Sequence, residues 1–474
     1  MPYVTDNDSK AVARIAEMAK ELQETRADFA RRVADDYVPT SVAELIERER
    51  STKALTDRIQ ALAMALELQR ALGSPMLHEQ ERQLAKSSPK KMKDFGYRPV
   101  RVQFLGGQEI ELMARYWCRN ESGFTKGKGC YYGLVLLGVC DRCSPQLASE
   151  VAQLAAALSS LEDAQSRLRQ MGIEMSIRRI ATVAYHFAER ARRQQEVSGM
   201  GIEGSLAGQR VVISMDGGRL RIRKPKRGKR TKKGRTRFYT DWREPKLLVI
   251  YVVNDAGRIE KSFTPVLDGT LQGPDEIFRL LEFYLRQLQI TEASKILFIA
   301  DGAKWIWQRV APLWQRLGLE KQCRELVDFY HVVEHIHALA ALKNSWKPTE
   351  RKRWATRQRR RLWRGEVKAF MSEVERFCQG KRGQAWERER DYLLRNARAG
   401  RLDYAKARRA KLPMGSGTME SAIRRVVNLR LKGASIFWTE EHAEQMLLLR
   451  TYYKSNRWEV LENKAFATPL ETAA

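Results

Sequence analysis

The chain has 474 residues, of which 43% are hydrophobic, and carries 86 Lys plus Arg against 57 Asp plus Glu, a formal net charge of +29. That length suits about two to four domains, and that apolar content excludes a disordered chain. The basic excess calls for a polyanionic partner, and nucleic acid is the expectation rather than membrane, because the longest apolar stretch, Tyr131 to Val139, is too short to span a bilayer. The amino-terminal MPYVTDNDSK lacks the basic start and apolar run of a secretory signal. Six cysteines in so long a chain do not form a disulfide framework, so a reducing, cytoplasmic location is expected.

Residues 1–90 read as helical and charged. SVAELIERERSTKALTDRIQALAMALELQRALG places apolar residues at helical spacing, and a dimerisation or packing segment is the favoured reading. Over 91–143 the pattern becomes short alternating runs split by Gly-Gly, which predicts a hairpin within a small β-rich, cysteine-containing segment. Helical spacing returns over 144–200. Leu161, Ala164 and Leu168 form one apolar face, Gly172 ends that helix, and Ser176 caps the next, with Ile177, Ile180 and Ala184 turned inward. A helix, a turn with Gly and a helix carrying Arg178 and Arg179 has the form of a helix-turn-helix; by spacing alone an ordinary helical hairpin fits equally well.

Residues 207–310 are strand-rich, with QRVVISMDGG, PKLLVIYVVNDAGR and SKILFIADGAKW as short β-branched runs bounded by Gly and Asp, the language of an α/β core. Residues 311–414 read as helical and very basic. From Pro413, PMGSGTMESAIRRVVNLRLKG runs from a Gly-rich loop into a helix opening near Thr418 within 415–455, and 456–474 forms a tail.

Asp216 follows VVIS and Asp301 follows ILFIA, each just before a Gly. A carboxylate at the carboxyl end of a core strand points into the usual ligand crevice, although Asp-Gly alone is also an ordinary turn. Glu420 sits early in the helix after GSG, where a capping carboxylate is the bland alternative. Taken together, three acids at the ends of core elements in a basic chain suit two magnesium ions acting on a phosphate, an ion that prefers oxygen ligands.

ISMDGGRLRIR, FIADGAKWIW, LVDFYHVVEHI and MGSGTMESAIRRVVNLRLKGASIFWTEEHAEQMLLLR resemble, in order and spacing, the blocks of DDE transposases of the ISKra type from bacterial insertion sequences. The resemblance covers roughly residues 140–455. It implies an RNase H-like α/β core preceded by α-helical and helix-turn-helix DNA-binding regions, with Asp216, Asp301 and Glu420 as the catalytic, metal-holding triad for magnesium or manganese. The spacings of 85 and then 119 residues imply that 311–414 is a helical insertion into that core. The family's Asp-x-x-His signature falls on Asp328 and His331, which places His331 near the active site or the DNA. The implied partners are transposon-end and target DNA, bound by a homodimer or higher homo-oligomer at the bacterial nucleoid. The alternatives are a catalytically silent DNA-binding regulator and an RNase H-like nuclease without strand transfer.

Residues 219–237 hold twelve basic residues and no acid, and are expected to form a long hairpin or loop beside Asp216. Arg221, Arg223, Lys224, Lys226, Arg227, Lys229, Arg230, Lys232 and Lys233 are its candidate phosphate contacts. Arg178 and Arg179 are the candidates for reading the transposon ends, and Trp305, Arg424 and Arg425 complete the DNA-binding set. Trp346, Trp354 and Trp363 are expected to pack the basic helical region itself. Cys118, Cys130, Cys140 and Cys143 make an incomplete zinc set, because only Cys140 and Cys143 form a CxxC pair where two pairs are usual. Cys323 and Cys378 read as isolated buried thiols.

Overall fold

The computed structural model describes residues 6–88, 92–119, 129–202, 204–232, 234 and 236–467. They divide into two compact units, one of residues 1–201 with 458–474 and one of residues 202–457. Among the described residues no helix is long and apolar enough to cross a membrane.

In the first unit, α1 (Asp6–Ala34) and α2 (Val42–Leu72) run as long neighbouring helices, followed by α3 (Pro75–Ser87). Ser41 caps α2 by accepting from the Glu44 amide. The expected hairpin pairs β1 (Met92–Gln103) with β2 (Glu109–Arg119) antiparallel, with a bulge between Asp94 and Tyr97. Its alternate residues Val102 and Leu112 share one core with Met18 of α1 and Leu62 and Leu66 of α2. After the short α4 (Tyr132–Leu136) come α5 (Pro145–Ala157), α6 (Leu161–Gln170) and α7 (Ile177–Ser198), capped by the side chains of Ser144, Ser160 and Ser176. Gly172 takes a φ of 81° in the α6–α7 turn, where a side chain would be strained. Ala164, Leu168, Ile180 and Ala184 are fully buried, whereas Leu161 and Ile177 are half-buried.

The second unit is built on a mixed five-stranded sheet. β3 (Arg210–Gly217) runs through Gly218 into β4 (Leu220–Pro225), and β5 (Phe238–Arg243) returns into β6 (Lys246–Val252), so β4–β5 is a two-stranded extension of the β3–β6 hairpin. Next come β7 (Val266–Thr270), α8 (Pro274–Gln287), β8 (Lys295–Ala300), α9 (Lys304–Leu317) and β9 (Cys323–Val327). The strand order is β7-β6-β3-β8-β9, with β3, β6 and β7 antiparallel in turn and β8 and β9 parallel to β3. β6, a continuous run of buried residues, is the central-strand pattern that its sequence predicts.

Then α10 (Phe329–Ala341), α11 (Pro348–Arg364), α12 (Val367–Cys378), α13 (Gln384–Arg398) and α14 (Tyr404–Arg409) form a helical region. Trp354 is buried in it, stacked on Phe377 at 4.2 Å with Trp346 beside the same ring, whereas Trp363 is partly exposed under Arg408. α15 (Gly417–Ile423) then returns to pack on β3 and β6 and passes into a π-turn, Arg424–Asn428, before α16 (Glu440–Lys454).

Two boundaries differ from the sequence reading. The fifth strand, β9, lies inside the stretch expected to be wholly helical, so the sheet continues beyond 310. Its five residues, CRELV, carry charges and only two are buried, which hides the strand within a basic run. The expected tail contains α17 (Trp458–Phe466), which rejoins the first unit by stacking Trp458 on Phe187 at 5.6 Å and donating from its Nε1 to Ser149 Oγ at 2.9 Å.

Candidate active site

In the sheet register, Met215 pairs with Ala300 and Ala300 with Val327. The residues that follow, Asp216, Asp301 and Asp328, therefore stand level at the carboxyl ends of three adjacent parallel strands. Parallel strands aligned by their ladders present such a row to the crevice beyond their carboxyl ends. Asp216 Oδ1 accepts from the Gly217 amide at 2.6 Å, and Asp301 Oδ1 from the Ala303 amide at 3.0 Å at the start of α9. Each keeps a second oxygen for another partner.

Burial pushes the Asp216 carboxyl up to about 6, opposed by the Gly217 amide and reinforced by the charge of Asp301. Burial likewise raises Asp301, opposed by the Ala303 amide and by His331. A second acid acts on both aspartates: the exposed Glu244 raises each of them. Glu244 stands just ahead of β6 and pairs at 2.9 Å with the buried Lys246, whose ammonium lies 4.3 Å from the centre of the Trp305 ring. Lys246 is opposite Gly217 in the β3–β6 ladder, which puts it on the face of the sheet opposite to that of Asp216. Trp305 is half-buried and also meets Phe278 edge-on.

Asp328 differs from its two neighbours in the row. It is fully buried, yet its carboxyl is held down at about 2: burial works against the charge, and His331 together with the Ser416 hydroxyl and amide outweigh it. It caps α10 by accepting from the Tyr330 and His331 amides, and it accepts from the Ser416 amide and, at 2.6 Å, from Ser416 Oγ. His331 lies 3.7 Å from Asp328, whose carboxylate lifts the imidazole to about 9 against the effect of burial. His331 is thus an imidazolium at neutral pH, and its charge opposes the rise in both Asp216 and Asp301.

The Ser416 contact fixes the Gly-Ser-Gly loop that opens α15. Thr418 of that helix reaches Tyr251 of β6, and Tyr251 pairs with Val212, whose side is that of Asp216 two alternations along β3. α15 therefore lies over the face of the sheet that carries Asp216. Glu420 is in its first turn and exposed. Among the described residues no three His, Cys, Asp or Glu side chains converge closely enough to hold an ion, so the structure brings Asp216 and Asp301 together and leaves Glu420 nearby on α15 without joining it to them.

The helical region also reaches the site. Tyr392 of α13 lies against Gly302, where a Cβ would collide with its ring, and it stacks on His335 at 3.5 Å. His335 is in turn paired with the buried Glu389, and Arg395 donates to the Gly302 carbonyl at 3.1 Å. The room that Gly302 leaves is filled by the chain's own tyrosine. Glu244, Lys246 and Tyr392 were not apparent in the sequence. The register of the β3–β6 hairpin would have pointed to the first two, and nothing in the sequence marks Tyr392.

The remaining candidates fall into two groups. Arg221 donates to the Gly433 carbonyl and lies over Phe437 at 4.6 Å, Arg223 donates to the Phe437 carbonyl at 3.0 Å, and Lys224 pairs with Glu440 at 3.0 Å. These three, expected on phosphates, are used within the protein. Lys226, Arg227, Lys229, Arg230 and Lys232 are exposed beyond the strands, as are Arg424 and Arg425; Lys233 lies outside the described residues. Arg178 is exposed, whereas Arg179 is drawn to Glu109 at 3.5 Å and to Cys143 Sγ at 3.8 Å. The cysteines do not gather. Cys140 and Cys143 close a two-residue turn through Asp141 and Arg142, and burial pushes their thiols up to about 12 and about 11. Cys130 exchanges backbone bonds with Trp117 rather than Cys118. Compared with protein-family models, with curated proteins and with solved structures, the chain matches none.

Proposed function

We propose that this chain is a DDE-type DNA transposase that cleaves transposon ends and transfers the 3′-hydroxyl strand to target DNA. The observation that carries the reading is the pair Asp216 and Asp301, level at the ends of adjacent parallel strands and both raised by burial. A strand order of third, second, first, fourth, fifth, with the last two parallel to the first, is what an RNase H-like core requires and supports that assignment. The helix α15, laid over the Asp216 face with Glu420 in its first turn, supports Glu420 as the third acid of such a core.

Two half-buried carboxylates whose charge is disfavoured by burial are suitable oxygen donors for a hard cation, and magnesium or manganese is the implied cofactor. Asp216, Asp301 and Glu420 would hold it, and when bound it would neutralise charge developing on the phosphate. His331 supplies positive charge that acts on both aspartates, which favours a phosphate in the crevice. The Asp328–Ser416 contact positions α15, and Tyr392 with Arg395 holds the turn after Asp301. The exposed cations beyond β4 and β5 provide sequence-independent grip on the backbone. Joining two ends in one complex requires at least a dimer.

The test is an assay of the purified full-length chain on a labelled transposon-end duplex with magnesium or manganese, beside Glu420→Gln. Nicked and joined products from the wild type, with a loss of about a hundredfold or more in the variant, are expected. Cut ends that are never joined would replace the proposal with a nuclease, and sequence-specific binding without cleavage would replace it with a regulator.

A further inference from the structure

The β4–β5 ribbon carries a second feature besides its basic tip. Its strands pair from Leu220 with Arg243 to Pro225 with Phe238, and directly paired residues share a face. Leu220 and Ile222 are buried, which makes theirs the inner face. The outer face carries Arg221, Arg223 and Pro225 opposite Trp242, Thr240 and Phe238. Trp242 is 48% exposed and Phe238 41%, and Tyr239, nearer the tip on the other face, is 57% exposed. Guanidinium groups lie over the two outer rings, Arg219 at 4.9 Å from Trp242 and Arg223 at 5.7 Å from Phe238. Between Arg219 and Arg243 the only acid is Asp241.

The ribbon's base is fixed. The Arg223 amide donates to the Trp438 carbonyl at 2.7 Å, and the Trp438 amide donates to the Arg221 carbonyl at 3.0 Å. The aromatics of β5 are therefore presented on a strand paired to the anchored β4 rather than on a free loop, which lowers the ordering cost of binding. Large rings left in water cost free energy, and cations packed on them keep their outer faces from self-association. Phosphates alone need no rings. In a duplex the base faces are already stacked on one another, so rings interleaved with arginines suit bases that are unpaired. Four residues along a strand span about 13 Å, the length of about four nucleotides.

We infer that the outer face of the β4–β5 ribbon binds unpaired bases of a nucleic acid strand, with Trp242 and Phe238 as stacking platforms and Arg219 on the adjoining backbone. The inference rests on the reading of the chain as DNA-binding and needs no catalysis.

It is tested with the full-length protein, without divalent ions, by anisotropy of a labelled oligothymidylate of about 20 nucleotides and of a duplex of equal length. Trp242→Ala should weaken single-strand binding about tenfold while leaving duplex binding within about twofold, and Trp242→Tyr should restore most of the loss. The melting temperature of each exposed-site variant is measured alongside and should match the wild type. Equal losses on both ligands, or no loss on either, overturn the inference. So does a wild type that binds duplex but not single strand, which leaves the DNA-binding reading standing. A wild type that binds neither ligand removes that reading as well.

Discussion

Asp216 and Asp328 occupy equivalent places on neighbouring parts of one sheet, yet their acidities move in opposite directions. The difference lies in their partners: Asp216 accepts from one backbone amide and faces another acid, whereas Asp328 accepts four hydrogen bonds from three residues and faces an imidazolium. Because the folded Asp216 carboxyl titrates at about 6, above its usual 3.8, it favours folding at low pH and that contribution is lost as pH rises through 6. Asp216→Asn should therefore raise stability by about 1–3 kcal/mol at pH 7.5 without divalent ions. The gain should vanish near pH 4, where both side chains are neutral. Thermal unfolding at the two pH values checks this, and an unchanged or lower melting temperature at pH 7.5 would show that the charge is not strained there. Magnesium should raise the melting temperature of the wild type more than that of the variant, because binding to the folded state alone stabilises it.

At the scale of elements, α15 depends on the Asp328 contact as much as on its own sequence. A helix of seven residues has little stability by itself, and here its loop is held by a buried carboxylate 88 residues earlier in the chain. Asp328→Ala leaves the amides of Tyr330, His331 and Ser416 without an acceptor and should cost about 2–4 kcal/mol. Since the Asp328 carboxyl titrates at about 2, below its usual value, its stabilisation is present above pH 3.8 and lost as pH falls through about 2. Hydrogen exchange should show early loss of protection over Gly415–Ile423 in Ser416→Ala, with β3 and β8 still protected. Uniform loss across the sheet would mean that the contact serves the whole core instead. The sequence makes Asp216 and Asp301 visible because each ends a run of buried β-branched or aromatic residues, and it makes α6 and α7 visible through their apolar spacing, the Gly172 break and the Ser176 cap. β9 is hidden because only Leu326 and Val327 of its residues are buried. Glu244, Lys246 and Tyr392 are hidden because their places depend on the pairing of β3 with β6 and on the fold of the helical region, neither of which leaves a local pattern.

At the scale of the molecule, a net charge of +29 does not reveal which cations meet DNA, and the structure separates them. Arg221, Arg223 and Lys224 hold the base of the ribbon, whereas Lys226, Arg227, Lys229, Arg230 and Lys232 lie exposed beyond it. Only the second group has counterions to release on binding, and each phosphate contact contributes about 0.9 to the slope of log affinity against log salt. Changing those five to Gln should reduce the slope for a duplex by as much as about 4 and leave the melting temperature near that of the wild type. Arg221→Gln should do the reverse, lowering the melting temperature through loss of its Gly433 and Phe437 contacts and changing the slope by less than about 1. An unchanged slope in the five-site variant would place the phosphate contacts elsewhere, with the exposed Arg424 and Arg425 next in line beside α15. A reduced slope in Arg221→Gln at constant stability would mean that DNA displaces its internal contacts, making the base of the ribbon part of the binding surface.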